Sequence, residues 1–257
     1  MAKDFSGRVA LVTGATSGIG RATALAFARQ GADVAVTGRR ADLLEEVAAE
    51  VRIAGVRAIG VAGDQRQERH ATEAVARTVA ELGGLDVLVN NAGVIGTGSV
   101  ESTSTAEWDR VLDTDLKGPF FLSRAAIPHL KGRKGASIVN VCSVAGVRPY
   151  ANLAPYCVAK AALDMLTECL ALELAPHGVR VNSINPGVIV TNLHKVSQAV
   201  PDYDEFLERC KTTHPLGFVG EPEDAADLIL FLASERARWI TGGHHPLDGG
   251  RALTSLR

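Results

Sequence analysis

Three observations predict an α/β fold, with a doubly wound parallel sheet of about seven strands and helices on both faces. Short apolar runs alternate with amphipathic stretches along all 257 residues. The runs are near-continuous in Val, Ile, Leu and Ala, as strands covered on both faces require. A glycine-rich turn joins the first run directly to the first amphipathic stretch, at the sheet edge where such folds place ligands. No linker, repeat or low-complexity tract interrupts the alternation, so residues 1–257 read as a single domain.

The elements follow in order. Arg8 to Thr13 is the first strand and Gly18 to Gln30 the first helix. Asp33 to Thr37 is the second strand, followed by a helix from Ala41 to Ile53 that ends near Gly55. Val56 to Ala62, Leu85 to Asn90, Ser137 to Cys142 and Val179 to Ile184 continue the strands, with a last short one near His245 to Leu247. Helices are predicted at about 67–82, 105–130, 153–176 and 222–233. The one long irregular stretch, about 188–220, holds Pro201, Pro215 and a short helix near Asp204 to Lys211. Lying after the sixth strand, beside the expected crevice, it is read as a substrate loop.

Composition narrows the function. The 27 basic and 29 acidic residues give no field to attract nucleic acid or an anionic membrane surface. No eighteen-residue apolar segment occurs, and Met1 to Arg8 lacks a signal-peptide core. Cys142, Cys157, Cys169 and Cys210 show no Cys-x-x-Cys spacing, which argues against a zinc site or disulfide framework and for a reducing cytoplasm. His244 and His245 are neighbours in an extended segment and point to opposite faces, so no metal site is expected there.

Four motifs carry the chemistry. Thr13-Gly14-Ala15-Thr16-Ser17-Gly18-Ile19-Gly20 joins first strand to first helix, where glycines let the backbone approach a pyrophosphate at a positive helix terminus. That makes the fold Rossmann-type. Asn90-Asn91-Ala92-Gly93 ends the fourth strand with small residues against which an adenosine ribose can lie. After the sixth strand, Asn185-Pro186-Gly187-Val188-Ile189-Val190-Thr191 turns sharply, and Thr191 can hydrogen-bond a carboxamide.

The fourth motif is Ser143, Tyr156 and Lys160. A spacing of four places Tyr156 and Lys160 on one helical face. Bringing a phenol from its usual pKa near ~10 to neutrality needs about 4 kcal/mol. One positive charge at ~4 Å supplies a comparable amount.

In this order and spacing the motifs resemble the short-chain dehydrogenase/reductase family over nearly the whole chain, through Thr241-Gly242 and Asp248-Gly249-Gly250. The resemblance implies hydride transfer between a nicotinamide and a ketone or secondary alcohol. It makes Tyr156 the general acid–base, has Ser143 orient the substrate oxygen, and has Lys160 hold the nicotinamide ribose while lowering the tyrosine pKa. Asp64 matches an adenine-contact position with Gln65 beside it, and Ile189 and Thr191 match positions that fix the carboxamide face. A homotetramer built on the helices at about 105–130 and 153–176 and on the C-terminal segment is also implied. An NAD-linked dehydrogenase of a sugar, polyol or hydroxysteroid, or a 3-oxoacyl-carrier-protein reductase, is the alternative activity; a non-catalytic dinucleotide sensor would have lost Tyr156 or Lys160.

One position departs from the family. Its usual asparagine, which helps hold a water linking the lysine to solvent, is Asp115 here, in Asp115-Leu116-Lys117-Gly118. An ionised aspartate accepts hydrogen bonds but donates none. The expectation is a surviving relay and a modestly shifted pH optimum.

The second strand predicts the cofactor. Where NAD enzymes place an acid, this chain has Gly38, followed by Arg39 and Arg40. Glycine leaves room for a 2′-phosphate and Arg39 can grip it, with Arg40 a second contact. NADP is therefore expected, with NAD the alternative. Val94, Ile95, Val144, Ala145 and Tyr150, with His194, Val200, Tyr203, Phe206 and Leu207 from the loop, suggest a pocket for a medium-sized, partly apolar substrate. Trp108 and Trp239 are read as helix packing or a subunit interface.

Overall fold

The computed structural model describes residues 4–193 and 202–254; His194 and Val200 lie outside the described residues. Seven strands form one parallel sheet: β1 (Val9–Thr13), β2 (Asp33–Gly38), β3 (Ala58–Ala62), β4 (Val87–Asn90), β5 (Ser137–Val141), β6 (Arg180–Pro186) and β7 (His244–Leu247). Their spatial order is β3-β2-β1-β4-β5-β6-β7, so the order reverses beside β1. That reversal opens a crevice at the carboxyl ends of β1 and β4.

Alternation along β1 shows why both faces need cover. Ala10 and Val12 join one buried cluster with Phe27, Val47 and Ile229, while Val9 and Leu11 join the other with Val75, Leu122 and Leu170. The first cluster is roofed by α1 (Gly18–Arg29), α2 (Ala41–Ile53) and the C-terminal helix Pro222–Ala233. The second is roofed by α3 (Glu68–Leu82), Gly118–Leu130 and Ala154–Leu174.

The expected helix over 105–130 is not continuous. It divides into α4 (Thr105–Leu112), a π-helical turn (Asp113–Lys117) and α5 (Gly118–Leu130). Within the turn the Gly118 N–H donates to Asp113 O, five residues back. Pro119 has no N–H to give the Asp115 carbonyl and would clash with it in a regular helix. The π turn also frees the Thr114 carbonyl, which accepts from Gln65 Nε2 at 2.6 Å. A Cβ on Gly118 would lie 2.8 Å from Gln65 Cγ, so glycine is required where that amide comes in.

A four-residue helix, α6 (Val144–Val147), is a second departure from the expected pattern. The other long helix agrees with expectation: α7 (Ala154–Leu174), with Pro155 in its first turn, runs on into a 3₁₀ turn (Ala175–His177). The stretch after β6 contributes α8 (Tyr203–Thr213), and α9 (Pro222–Ala233) precedes β7. Among the described residues no helix is long and apolar enough to cross a membrane.

Candidate active site

The dinucleotide turn is built by close approach. A Cβ on Gly14 would lie 2.6 Å from Ala92 Cα, one on Gly18 2.9 Å from Thr191 Cγ2, and one on Gly20 2.4 Å from Asn91 Nδ2. Three glycines thus bring the β1 turn, the β4 end and the β6 loop together. Gly18 also has φ +54, which glycine adopts without strain. At the N-terminus of α1, Ser17 makes no side-chain cap and no acidic residue occupies the first turn. Its unpaired N–H groups and positive dipole end suit an anion. The residues present therefore fit a dinucleotide phosphate bridge.

Asn91 and Gln65 are spent inside the protein. Asn91 Nδ2 donates to Thr13 O at 2.8 Å and Gly14 O at 3.3 Å, stapling β4 to the turn. Gln65 Nε2 donates to Ala92 O at 3.1 Å and to Thr114 O, so its two amide protons serve the fold. Arg66 grips Asp64 through Nε and Nη2 and holds the carboxyl below its usual range. At the β2 end, Arg39 and Arg40 are exposed. Arg40 Nη2 donates to Thr16 Oγ1 at 2.7 Å, which places the guanidinium beside the turn.

The β6 loop closes the other wall. Gly187 N–H donates to Leu247 O, and Ile189 bridges Gly220. Tyr203 was expected as a pocket wall; its hydroxyl donates to Thr191 O at 2.8 Å and accepts from Thr191 N–H at 3.1 Å. Buried His214 accepts from Val188 N–H through Nε2 at 3.2 Å, while Nδ1 meets Cys210 O at 2.6 Å. A carbonyl only accepts, so the proton sits on Nδ1. Burial holds this ring below the usual histidine pKa, which keeps Nε2 free to accept. Gly18, Val190, Thr191, Asn192, Tyr203 and Pro222 line the resulting cleft.

Ser143, Tyr156, Lys160 and Asp115 converge and are all buried. Ser143 caps α6, its Oγ accepting from Ala145 N–H at 3.1 Å, which leaves the hydroxyl proton to donate elsewhere. Tyr156 joins a cluster with Ile95, Ala145, Val94, Tyr150 and Leu193. Lys160 Nζ donates to Val141 O at 3.0 Å and lies 5.6 Å from the Tyr156 ring centroid.

Asp115 meets Lys160 directly. Its Oδ2 lies 3.2 Å from Lys160 Nζ, and its Oδ1 accepts from Val94 N–H at 2.8 Å. Gly93 faces the pair, since a Cβ there would lie 2.9 Å from Asp115 Oδ2. Burial opposes the charge on Lys160, but its neighbours together, Asp115 foremost and Tyr156 and Cys142 after it, hold the amine above its usual range. Burial raises Asp115, against the pull of Lys160 and the Val94 N–H.

The sequence-based expectation for Tyr156 needs correction. Burial raises the phenol above its ordinary value, and the Asp115 charge adds to that. Lys160 and the Ser143 hydrogen bond pull it down but do not prevail. The spacing of Tyr156 and Lys160 was right; the missing quantities were the burial of the phenol and, after it, the carboxylate that offsets the ammonium.

The family model described as enoyl-(acyl carrier protein) reductase matches residues 14–252. A 2,5-dichloro-2,5-cyclohexadiene-1,4-diol dehydrogenase of Sphingobium indicum is 38% identical, over 97% of this chain and 98% of its own. The crystal structure of a short-chain type dehydrogenase/reductase from Mycobacterium marinum superposes with TM-score 0.91 at 35% identity, covering 98% of each chain. The chain belongs to the short-chain dehydrogenase/reductase family. A cyclohexanol dehydrogenase of Acinetobacter sp. is 35% identical over 97% of this chain and 96% of its own. As a family member the protein is an oxidoreductase acting on CH–OH groups, with a nicotinamide cofactor.

Proposed function

We propose that the protein interconverts a secondary alcohol and its ketone with NADP(H), most effectively as a carbonyl reductase. The observation that supports this best is Tyr156, a buried phenol whose environment keeps its proton on, set among apolar residues with Ser143 and Lys160 beside it. A protonated phenol is the state a ketone needs as its oxygen gains charge. The bound nicotinamide supplies or accepts the hydride. Tyr156 gives the proton to the substrate oxygen, and the Ser143 hydroxyl donates a second hydrogen bond to the same atom. Lys160 holds a sugar hydroxyl of the cofactor and passes a proton inward. Medium-sized alicyclic ketones fit the apolar wall, and two relatives are named for six-membered-ring alcohols.

NADP is favoured by the β2 end. Gly38 carries no acid, and Arg40 is anchored to Thr16 over the turn. A Cβ on Gly38 would find only ordinary contacts, Thr16 Cγ2 at 3.4 Å and Leu44 Cδ2 at 3.7 Å. Gly38→Asp therefore folds and tests the reading cleanly. Wild type should show a higher kcat/KM with NADPH than with NADH on cyclohexanone. Gly38→Asp should reverse that order, by roughly tenfold or more, because it sets a carboxylate against the 2′-phosphate. Equal use of the two cofactors by wild type would refute NADP preference.

A cytoplasmic location and a homotetramer complete the proposal. The first rests on the cysteine spacing and the second on the resemblance, supported by apolar residues left on the outer face of α7.

A further inference from the structure

Helix α7 carries a polar stripe that continues past the reacting groups. Tyr156, Lys160, Asp164 and Glu168 follow at intervals of four, which stacks them along one face. The first two belong to the proposed reaction. The second two meet His244 of β7: its Nδ1 lies 2.9 Å from Asp164 Oδ1 and its Nε2 2.8 Å from Glu168 Oε1.

Asp164 is buried and fully engaged. Ser183 Oγ donates to Oδ1 at 2.6 Å, and Asn185 Nδ2 donates to Oδ2 at 2.7 Å. The same Asn185 amide donates its other proton to the Ser143 carbonyl at 3.2 Å. Lys160, one turn earlier on α7, donates to the Val141 carbonyl. Two side chains of one helix thus hold two residues of the β5 terminus, Val141 directly and Ser143 through Asn185. No described part of the proposed reaction uses Asp164, Asn185 or His244.

We propose that His244 and Asp164 form a positioning pair for the catalytic serine: the imidazolium balances the buried carboxylate, and Asn185 transmits that anchorage to the Ser143 backbone. The inference rests on the proposed role of Ser143. The charged and titratable groups facing His244 are Asp164 and Glu168 from α7 and His245 from β7, with Ser183 of β6 also in contact. Cys142, at the end of β5, is the titratable group that Asp164 meets on its far side. Burial opposes a charge on His244, yet the two carboxylates hold its pKa above the ordinary histidine value. The anchorage is therefore complete below the ordinary histidine value, and weakens as pH rises through the raised one. Above it Asp164 is left negative behind Lys160 with only neutral donors.

The test has two arms. In the first, imidazole resonances are followed by NMR during a pH titration. His244 should titrate above the ordinary histidine value in wild type and lower in Asp164→Asn, while hydrogen–deuterium exchange over residues 142–147 should quicken in His244→Gln at a fixed pH. In the second, ketone reduction is measured across pH. Wild type should lose kcat in a step at the pKa that NMR assigns to His244. Folded His244→Gln should lack that step and show kcat lower by roughly tenfold with KM nearly unchanged, the size expected for one lost hydrogen-bonded anchor. Unchanged exchange over 142–147, or His244→Gln with the wild-type kcat and pH profile, overturns the proposal. Absence of any ketone or alcohol turnover by wild type would instead refute the functional reading, and the first arm would still decide whether the pair holds Ser143.

Discussion

Asp115 alters what Lys160 can do for Tyr156. A lone ammonium in this pocket would draw the phenol toward neutrality, but here the ammonium shares its field with a carboxylate 3.2 Å away. The carboxylate raises the Tyr156 pKa, so its removal should lower it. Asp115→Asn is therefore expected to move the rise of alcohol-oxidation kcat/KM to lower pH and to cut ketone reduction at alkaline pH. A pH–rate profile superposable on wild type would contradict this. Truncating Asp115 to Ala is a harsher change, because it removes both carboxylate acceptors, from the Val94 N–H and from Lys160, as well as the charge, at a cost of about 3–5 kcal/mol. The Tyr156 and Lys160 spacing was legible in the sequence because helical periodicity puts residues i and i+4 together. The balance of charges around them was not, since it depends on Asp115, forty-five residues from Lys160. Asp164 and Asn185 escaped for the same reason, as did the bond from Val188 N–H to His214, the partners being distant in sequence.

At the level of elements, the π turn is what delivers Asp115. The strand and helix order came through from apolar runs and glycine punctuation, with β3 beginning two residues later than expected. A single helix over 105–130 was expected because both halves share a helical period. Pro119 was the available signal, one that proline tolerance in first turns disguises. Gln65 props the turn by taking up the Thr114 carbonyl. Gln65→Ala strands that half-buried carbonyl and should cost roughly 1–3 kcal/mol in urea unfolding. It should also raise amide exchange at Gly118. A variant as stable as wild type would mean that the turn holds itself.

Across the whole molecule, exposed apolar side chains are scattered, but one set is regular. Val158, Met165 and Leu172 are exposed on α7 at intervals of seven, one stripe on the face away from the sheet. Phe120 on α5 is exposed too, and Trp239 before β7 is 97% exposed. Exposure of this kind favours association, in keeping with the proposed tetramer. Light scattering should find four chains per particle. Met165→Glu, which sets a charge into the middle of the stripe, should yield smaller species with the fold intact by circular dichroism. A wild-type monomer at micromolar concentration would exclude the assembly.

The sheet order has a consequence for when the enzyme becomes competent. Among the described residues strand β7 pairs only with β6, yet its Leu247 carbonyl receives the Gly187 N–H at the head of the loop after β6, and its His244 faces Asp164. During synthesis the first six strands and the glycine turn are available well before these contacts exist. The chain can then acquire its Rossmann core early and its catalytic alignment last. A ribosome-bound intermediate halted before residue 244 would be folded in most of its sheet and idle in its chemistry.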